Sequence, residues 1–292
     1  LHPLSSQEMV LELFWGPTAA FKDFGARFLA SAMERIIRRR GEKLTILVAT
    51  SGDTGGAVAA AFAGKEGITV KVLYPKGRVS ARPQQPLTSW AVTIDVYELH
   101  SSFDDCQKMV KEAFMNQGLS MAHNLSSANS INLGRLLPQS VYYVYASQIF
   151  QGAYSKKPTI IIPSGNVGNA TAAYWAFTMG APIQQIALAV NENRTIVDYL
   201  ERGVYQGRPS VQTLANAMDV GDPSNMERLF ALYPTLEEMR AVVAAWSVDD
   251  EAIRETIKEV YTESGYILCP HTATAERVRR DHFPDTPSII VS

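Results

Sequence analysis

Three segments of this chain combine residue types that could do chemistry with a backbone that would present them. In Gly16-Pro17-Thr18-Ala19-Ala20-Phe21-Lys22-Asp23-Phe24-Gly25 a lysine with aromatic neighbours stands at the predicted start of a helix. A helix N-terminus repels a cation and apolar flanks desolvate it, and both favour the neutral amine that attacks an aldehyde to give a Schiff base. The same residues also describe an exposed lysine whose stem covers apolar surface. In Pro163-Ser164-Gly165-Asn166-Val167-Gly168-Asn169 a glycine-rich turn follows an apolar strand and precedes a helical run. Inward-turned N–H groups and the positive end of a helix make such a turn a phosphate cradle, although it also serves as a plain strand–helix connection. It lacks the lysine of a P-loop and the spacing of a dinucleotide fingerprint. In Ala49-Thr50-Ser51-Gly52-Asp53-Thr54-Gly55-Gly56-Ala57 hydroxyls and small residues again lie between strand and helix. They suit a carboxylate or phosphate, or an ordinary helix cap.

The elements that must position these segments are legible from periodicity. Continuous apolar, β-branched runs occur at 45–49, 69–74, 92–96, 159–162 and 186–190, and Ser288-Ile289-Ile290-Val291-Ser292 reads as a further buried strand. Strands covered on both faces need such runs, so the class is α/β with parallel sheets. Helical patterns run over 24–40, 55–63, 103–117, 135–150 and 169–179. Gln151 to Pro158 reads as a polar hinge between two α/β lobes. The expected division is a lysine-motif segment, 1–44, packing with the large lobe, a smaller lobe over 45–150, and the remainder of the large lobe over 151–292. From about Leu229 to Ser264 the pattern is helical and charged, an outer covering.

Composition narrows the function classes. The 292 residues are 46% hydrophobic, enough for a sizeable core. A net charge of −2, from 29 acidic and 27 basic residues without a basic block, argues against nucleic acid as a partner. Cys106 and Cys269 are too few for a disulfide framework or thiolate zinc site, which points to a reducing cytoplasm. The five histidines lack metal-ligand spacing, and no metal is expected. No apolar run reaches the roughly 18 residues that span a bilayer, so no membrane association is expected.

Five segments carry a resemblance. Phe21-Lys22-Asp23-Phe24-Gly25, Ser51-Gly52-Asp53-Thr54-Gly55, Ser127-Ala128-Asn129-Ser130-Ile131-Asn132, Gly165-Asn166-Val167-Gly168-Asn169 and Pro270-His271-Thr272-Ala273 stand in the order and approximate spacing of threonine synthases. The sequence resembles that family over essentially its whole length. The resemblance implies the tryptophan-synthase-β fold, that of fold type II enzymes, with pyridoxal 5′-phosphate (PLP) at the interface of two parallel-sheet lobes. It implies that Lys22 carries the cofactor as a Schiff base and moves protons during catalysis. Gly165, Asn166, Val167, Gly168 and Asn169 would hold the cofactor phosphate through backbone amides and the Asn side chains. Val167 stands where the family usually has Phe, a change that a backbone donor tolerates. Asp53 would meet the cofactor ring, and Ser51 and Thr54 the substrate. Ser130, Asn132 and Arg135 look like the segment that meets the substrate phosphate, with Arg135 gripping it by two parallel hydrogen bonds or serving as a surface salt bridge. His271 is expected as a buried structural histidine.

The implied reaction converts O-phospho-L-homoserine and water to L-threonine and phosphate, catalysed by a monomer or homodimer. A same-fold phospho-lyase or dehydratase giving a 2-oxo acid, and a non-catalytic module of the fold, are the competing expectations. Family members carry a substantial segment before the lysine motif and a Thr-Ala-His-Pro turn after the final strand. The partner of the pyridine nitrogen is therefore expected beyond Ser292.

Overall fold

A strand parallel to its neighbour must be reached by a crossover, and alternating strands and helices supply one. The computed structural model describes residues 1–50, 53–76, 94–101 and 103–292, apart from the side chains of Asp53, Phe103 and Asp104. In chain order the elements are β1 (His2–Pro3), β2 (Glu8–Leu11), α1 (Lys22–Arg40), β3 (Leu44–Ala49), α2 (Asp53–Phe62), β4 (Ile68–Pro75) and β5 (Ile94–Leu99). Then come α3 (Phe103–Met115), α4 (Gln117–His123), β6 (Leu125–Ser126), α5 (Leu133–Leu136), a 3₁₀ turn (Leu137–Gln139), α6 (Ser140–Tyr154), β7 (Thr159–Pro163), α7 (Gly168–Thr178) and β8 (Gln185–Val190). The last series is α8 (Thr195–Arg202), a 3₁₀ turn (Asn216–Met218), α9 (Met226–Leu232), α10 (Leu236–Val242), β9 (Val243–Ser247), α11 (Asp250–Ser264), α12 (Pro270–His282) and β10 (Ser288–Val291).

These elements form two compact units, Phe14–Pro138 and Leu1–Leu13 with Gln139–Ser292. In Phe14–Pro138 the sheet order is β5-β4-β3-β6, all parallel. Leu44, Ile46 and Val48 of β3 pack with Ala26, Leu29 and Ala30 of α1 and Ala57 and Val58 of α2. Leu47 and Ala49 face the opposite cluster, with Cys106 and Val110 of α3. Both faces are covered, and this explains the unbroken apolar run. Helix α1 stops at Gly41, whose φ of 63° closes the C-cap behind Arg38, Arg39 and Arg40, cations that suit the negative helix end.

In the other unit the order is β1-β2-β10-β7-β8-β9, parallel except for β1 against β2. Ile160, Ile162 and Leu188 bury one sheet face under Tyr143 and Phe150 of α6 and the alanines of α7. Ile161, Ala187 and Ile290 bury the other under α11 and α12, against Ile253, Val260, Ala275 and Val278.

Four sequence expectations differ from these elements. The units divide after Leu13 and after Pro138, not near 44 and 151, because β2 pairs with β10 while α1 packs on β3. Gln151–Tyr154 belong to α6, which ends at Ser155 in the left-handed region (φ 55°), so the expected hinge is mostly helix. The covering over 229–264 contains β9, whose Val-Ala-Ala-Trp-Ser has little strand signature but pairs over its whole length with Ile186 to Val190 of β8. The helix expected over 135–150 breaks at Pro138, and a 3₁₀ turn joins α5 to α6.

Candidate functional site

In open parallel sheets ligands collect outside the strand carboxyl ends where the winding reverses. Within Phe14–Pro138 the chain steps from β3 to β4 to β5 and then returns to place β6 on the other side of β3. The reversal lies between β3 and β6, and two of the expected segments follow these strands. Ser51 and Gly52 lie outside the described residues, as does the side chain of Asp53. Thr50 is buried, and its Oγ1 accepts from Gly55 N–H at 2.8 Å, capping the start of α2, where Asp53 and half-buried Thr54 stand. Asn129 Nδ2 donates to Ala49 O at 3.0 Å, tying the loop after β6 to the end of β3.

That loop is stiffened from within. Asn132 caps α5, its Oδ1 accepting from Gly134 N–H at 2.9 Å while its Nδ2 donates to Ser127 O at 2.7 Å. Ser130 beside it is half-buried. Arg135 is only 2% exposed and donates from Nη1 to Ala128 O at 2.7 Å. Burial lowers its pKa to about 10 against the opposing charge of Asp23, so it stays cationic at neutral pH. A surface salt bridge is therefore excluded for Arg135, which is interior.

The lysine turn is built around Asp23. Its buried carboxylate accepts from Thr18 N–H at 2.9 Å and from the Thr18 hydroxyl at 2.7 Å, folding Gly16 to Phe21 over the first turn of α1. Gly16 is required there, since a Cβ would collide with the Asp23 side chain. Lys22 is the first residue of α1, half-buried, with Nζ 5.4 Å from the centroid of the Phe21 ring. Lysine turn, helix-α2 start and Ser127–Arg135 loop thus occur in one unit, linked through Asp23, Arg135 and Asn129.

The second unit repeats the logic. From β7 the chain winds through β8 to β9, then returns to place β10 on the other side of β7, so the reversal lies between β7 and β10. The turn after β7 packs tightly: a Cβ on Gly165 would stand 2.7 Å from the Met218 Cα. Val167 is the N-cap of α7 at φ 60°, ψ 4°, a conformation costly for a β-branched residue. Thr171 N–H to Val167 O, 2.8 Å, is the bond that starts the helical ladder, leaving the N–H groups of Gly168, Asn169 and Ala170 outside it. The first turn holds no acid. Three N–H groups outside the ladder at a positive helix end, with no carboxylate in that first turn, fit a phosphate.

The Asn side chains of this turn are engaged within the protein. Asn166 Oδ1 accepts from Ser224 N–H (2.7 Å) and its hydroxyl (2.9 Å), and Asn225 Nδ2 donates to Asn166 O at 2.9 Å. Asn169 Nδ2 donates to Gln139 Oε1 at 3.0 Å, and the Tyr143 hydroxyl donates to Asn169 Oδ1. Nearby, His271, expected to be buried, is half-buried, and its Nε2 accepts from Ala217 N–H at 3.1 Å, while Thr272 Oγ1 donates to Ser292 Oγ at 2.8 Å at the end of β10. Gln139, Tyr143, Ser224 and Asn225 were not singled out from the sequence. They reach the turn from 26 to 59 residues away, and no local pattern marks them.

Parallel sheets wound in two directions, a lysine opening a helix and a glycine-rich turn opening another at the second reversal are the features of fold type II PLP enzymes. A family model described as pyridoxal-phosphate dependent enzyme matches residues 11–283, and the chain belongs to that family, whose cofactor is pyridoxal 5′-phosphate. Among curated relatives it is 41% identical over 274 residues to a threonine synthase of Buchnera aphidicola, covering 94% of this chain and 63% of that protein. It therefore spans less than two thirds of that relative's length. Among solved structures, PLP-bound threonine synthase from Brucella melitensis superposes with a TM-score of 0.91 at 34% identity, covering all of this chain and 68% of the other. Threonine synthase from Escherichia coli gives 0.88 at 37% identity, covering 99% and 67%. Maize serine racemase, 17% identical with a TM-score of 0.66 and covering 94% and 79%, shares the fold.

Proposed function

We propose that this chain is the catalytic part of an enzyme that uses PLP to convert O-phospho-L-homoserine and water to L-threonine and phosphate. The observation that carries this reading is similarity to a threonine synthase over 94% of the chain. When bound, PLP supplies an electron sink for carbanions formed on the amino-acid substrate.

The residues then divide the remaining work. Lys22 would hold the cofactor through its amine, and the same amine would move protons at the substrate Cα and Cβ. The backbone N–H groups at the start of α7 hold the cofactor phosphate, and Asp53 meets the cofactor ring. Ser51 and Thr54 take the substrate carboxylate; Ser130, Asn132 and Arg135 take its phosphate. Arg135 is suited to this as a buried cation, since a charge kept from water attracts a phosphate more strongly. Loss of phosphate breaks the Cγ–O bond, Cγ gains one proton, water adds its oxygen at Cβ, Cα regains the proton it gave up, and the second proton of water leaves with the phosphate. Phosphate held near Arg135 is placed to assist that water. The reading assigns the enzyme to the cytoplasm on its two cysteines and takes it as a monomer or homodimer; among the described residues no helix is long and apolar enough to cross a membrane.

The test is to add PLP to the purified chain and to its Lys22→Ala variant, record visible absorbance, and assay products from O-phosphohomoserine. A Lys22-dependent band together with threonine is expected. A band with 2-oxo acid and no threonine would move the chain to the lyases, and absence of any Lys22-dependent band would refute the role of Lys22.

A further inference from the structure

Asn169 is only 7% exposed at the second position of α7, where a side chain could either reach a bound phosphate or brace the turn. Its amide is committed on both ends. The Tyr143 hydroxyl donates to Oδ1, and Nδ2 donates to Gln139 Oε1 at 3.0 Å. Gln139 and Tyr143 are four residues apart at the start of α6, so they share one helix face and converge on a single side chain. Both are almost wholly buried, at 2% and 0% exposure. Burying three polar side chains is unfavourable unless they satisfy one another, and this cluster does so. Burial also holds the Tyr143 phenol well above its ordinary pKa, keeping it a donor through the neutral range.

The turn has reason to need bracing. Val167 carries a left-handed φ of 60°, and such strain persists only where the surroundings over-determine it. On one side Ser224 and Asn225 hold Asn166; on the other the α6 pair holds Asn169. We propose that Tyr143 and Gln139 are positioning residues for the phosphate turn: by clamping the Asn169 side chain they fix the first turn of α7, leaving its backbone N–H groups to take the phosphate. This rests on the reading that the turn receives the phosphate of PLP. It also changes the part expected of the Asn side chains, from phosphate contacts to braces.

A brace and a general packing role part company when the ligand's phosphate is removed. The full chain is titrated with PLP and with pyridoxal, which lacks the phosphate, for wild type, Tyr143→Phe, Asn169→Ala and the double variant. Tyr143→Phe keeps the ring and removes only the hydroxyl, and its pyridoxal affinity reports whether the variant is folded. PLP affinity is expected to fall about 5-fold, the value of one hydrogen bond, while pyridoxal affinity stays unchanged. Tyr143→Phe added to Asn169→Ala is expected to cause no further loss, because the hydroxyl would then have lost its acceptor. Amide hydrogen exchange in the ligand-free chain reads the brace without cofactor, and Tyr143→Phe is expected to accelerate exchange at residues 168–170. Equal loss for both ligands, unchanged exchange, or additive losses in the double variant would overturn the brace alone. A wild type that binds PLP no better than pyridoxal would overturn the phosphate reading of the turn, and the brace with it.

Discussion

Cys269 occupies the N-cap of α12, where the helix end favours a negative charge, and His271 and Thr272 stand within the next turn. His271 Nε2 accepts a backbone N–H, which puts the ring proton on Nδ1, 3.9 Å from the sulfur. Thr272 Oγ1 lies 3.3 Å from it. Burial opposes ionisation of the thiol, but these neighbours stabilise the thiolate more, and its pKa is pulled down to about 7. Alkylation by iodoacetamide, followed by mass spectrometry, should therefore rise with pH around a midpoint near 7. His271→Ala should move that midpoint up, towards the roughly 8.5 of a free thiol. Cys106 is buried and should remain unmodified in the folded chain, providing an internal reference. Chemistry-bearing residues were legible singly at this scale; the company they keep was not.

Turns and helices show which local signals hold. The glycines of the turn after β7 are obvious in sequence, but the reason for Gly165 is not. It carries no positive φ; it is needed because the Met218 backbone passes so close that a Cβ would stand 2.7 Å away. Gly165→Ala must displace backbone on one side, so a loss of about 1–3 kcal/mol in stability is expected from denaturant titration, with weakened PLP binding. Helix α1 was read almost whole, because its apolar spacing and its Arg-rich, Gly-terminated end are local properties. Strand β9 was missed because Ala-Ala carries no β-preference, and only pairing with β8 makes it a strand.

Stability of the whole chain should depend on pH through a buried charge cluster under the long sheet. Glu8 of β2 and Glu276 of α12 are 7% and 1% exposed, with Arg279 Nε 2.8 Å from Glu8 Oε1 and 2.8 Å from Glu276 Oε2. Arg280 joins Glu276 to Glu259 and Glu263 of α11. Burial first, then the hydrogen bond and charge of Glu276, raises the Glu8 pKa from 4.5 to about 8, against the pull of Arg279 and Arg280. An acid with a raised folded pKa holds its proton when the unfolded chain has released it, so stability falls as pH rises from about 4.5 to about 8 and levels off above. Glu8→Gln keeps a donor for Glu276 and removes the titration. In urea denaturation it should match wild type near pH 4.5 and exceed it by on the order of 2 kcal/mol at pH 9. A variant advantage that is constant with pH would rule this out.

What the sequence determined by itself is whatever repeats over a few residues. Unbroken apolar runs marked β3, β4, β7, β8 and β10 as strands covered on both faces, and five motifs in order marked the family. Tertiary structure decided what depends on residues far apart in the chain. It brought β2 from the N-terminal residues to the side of β10, made β9 a strand, enclosed Arg135, and committed the Asn166 and Asn169 side chains to partners 26 to 58 residues away. The physical reason is that periodicity reports which face of an element is buried. The partner of a buried polar group is set by where the crossovers carry the chain, and no local window contains that.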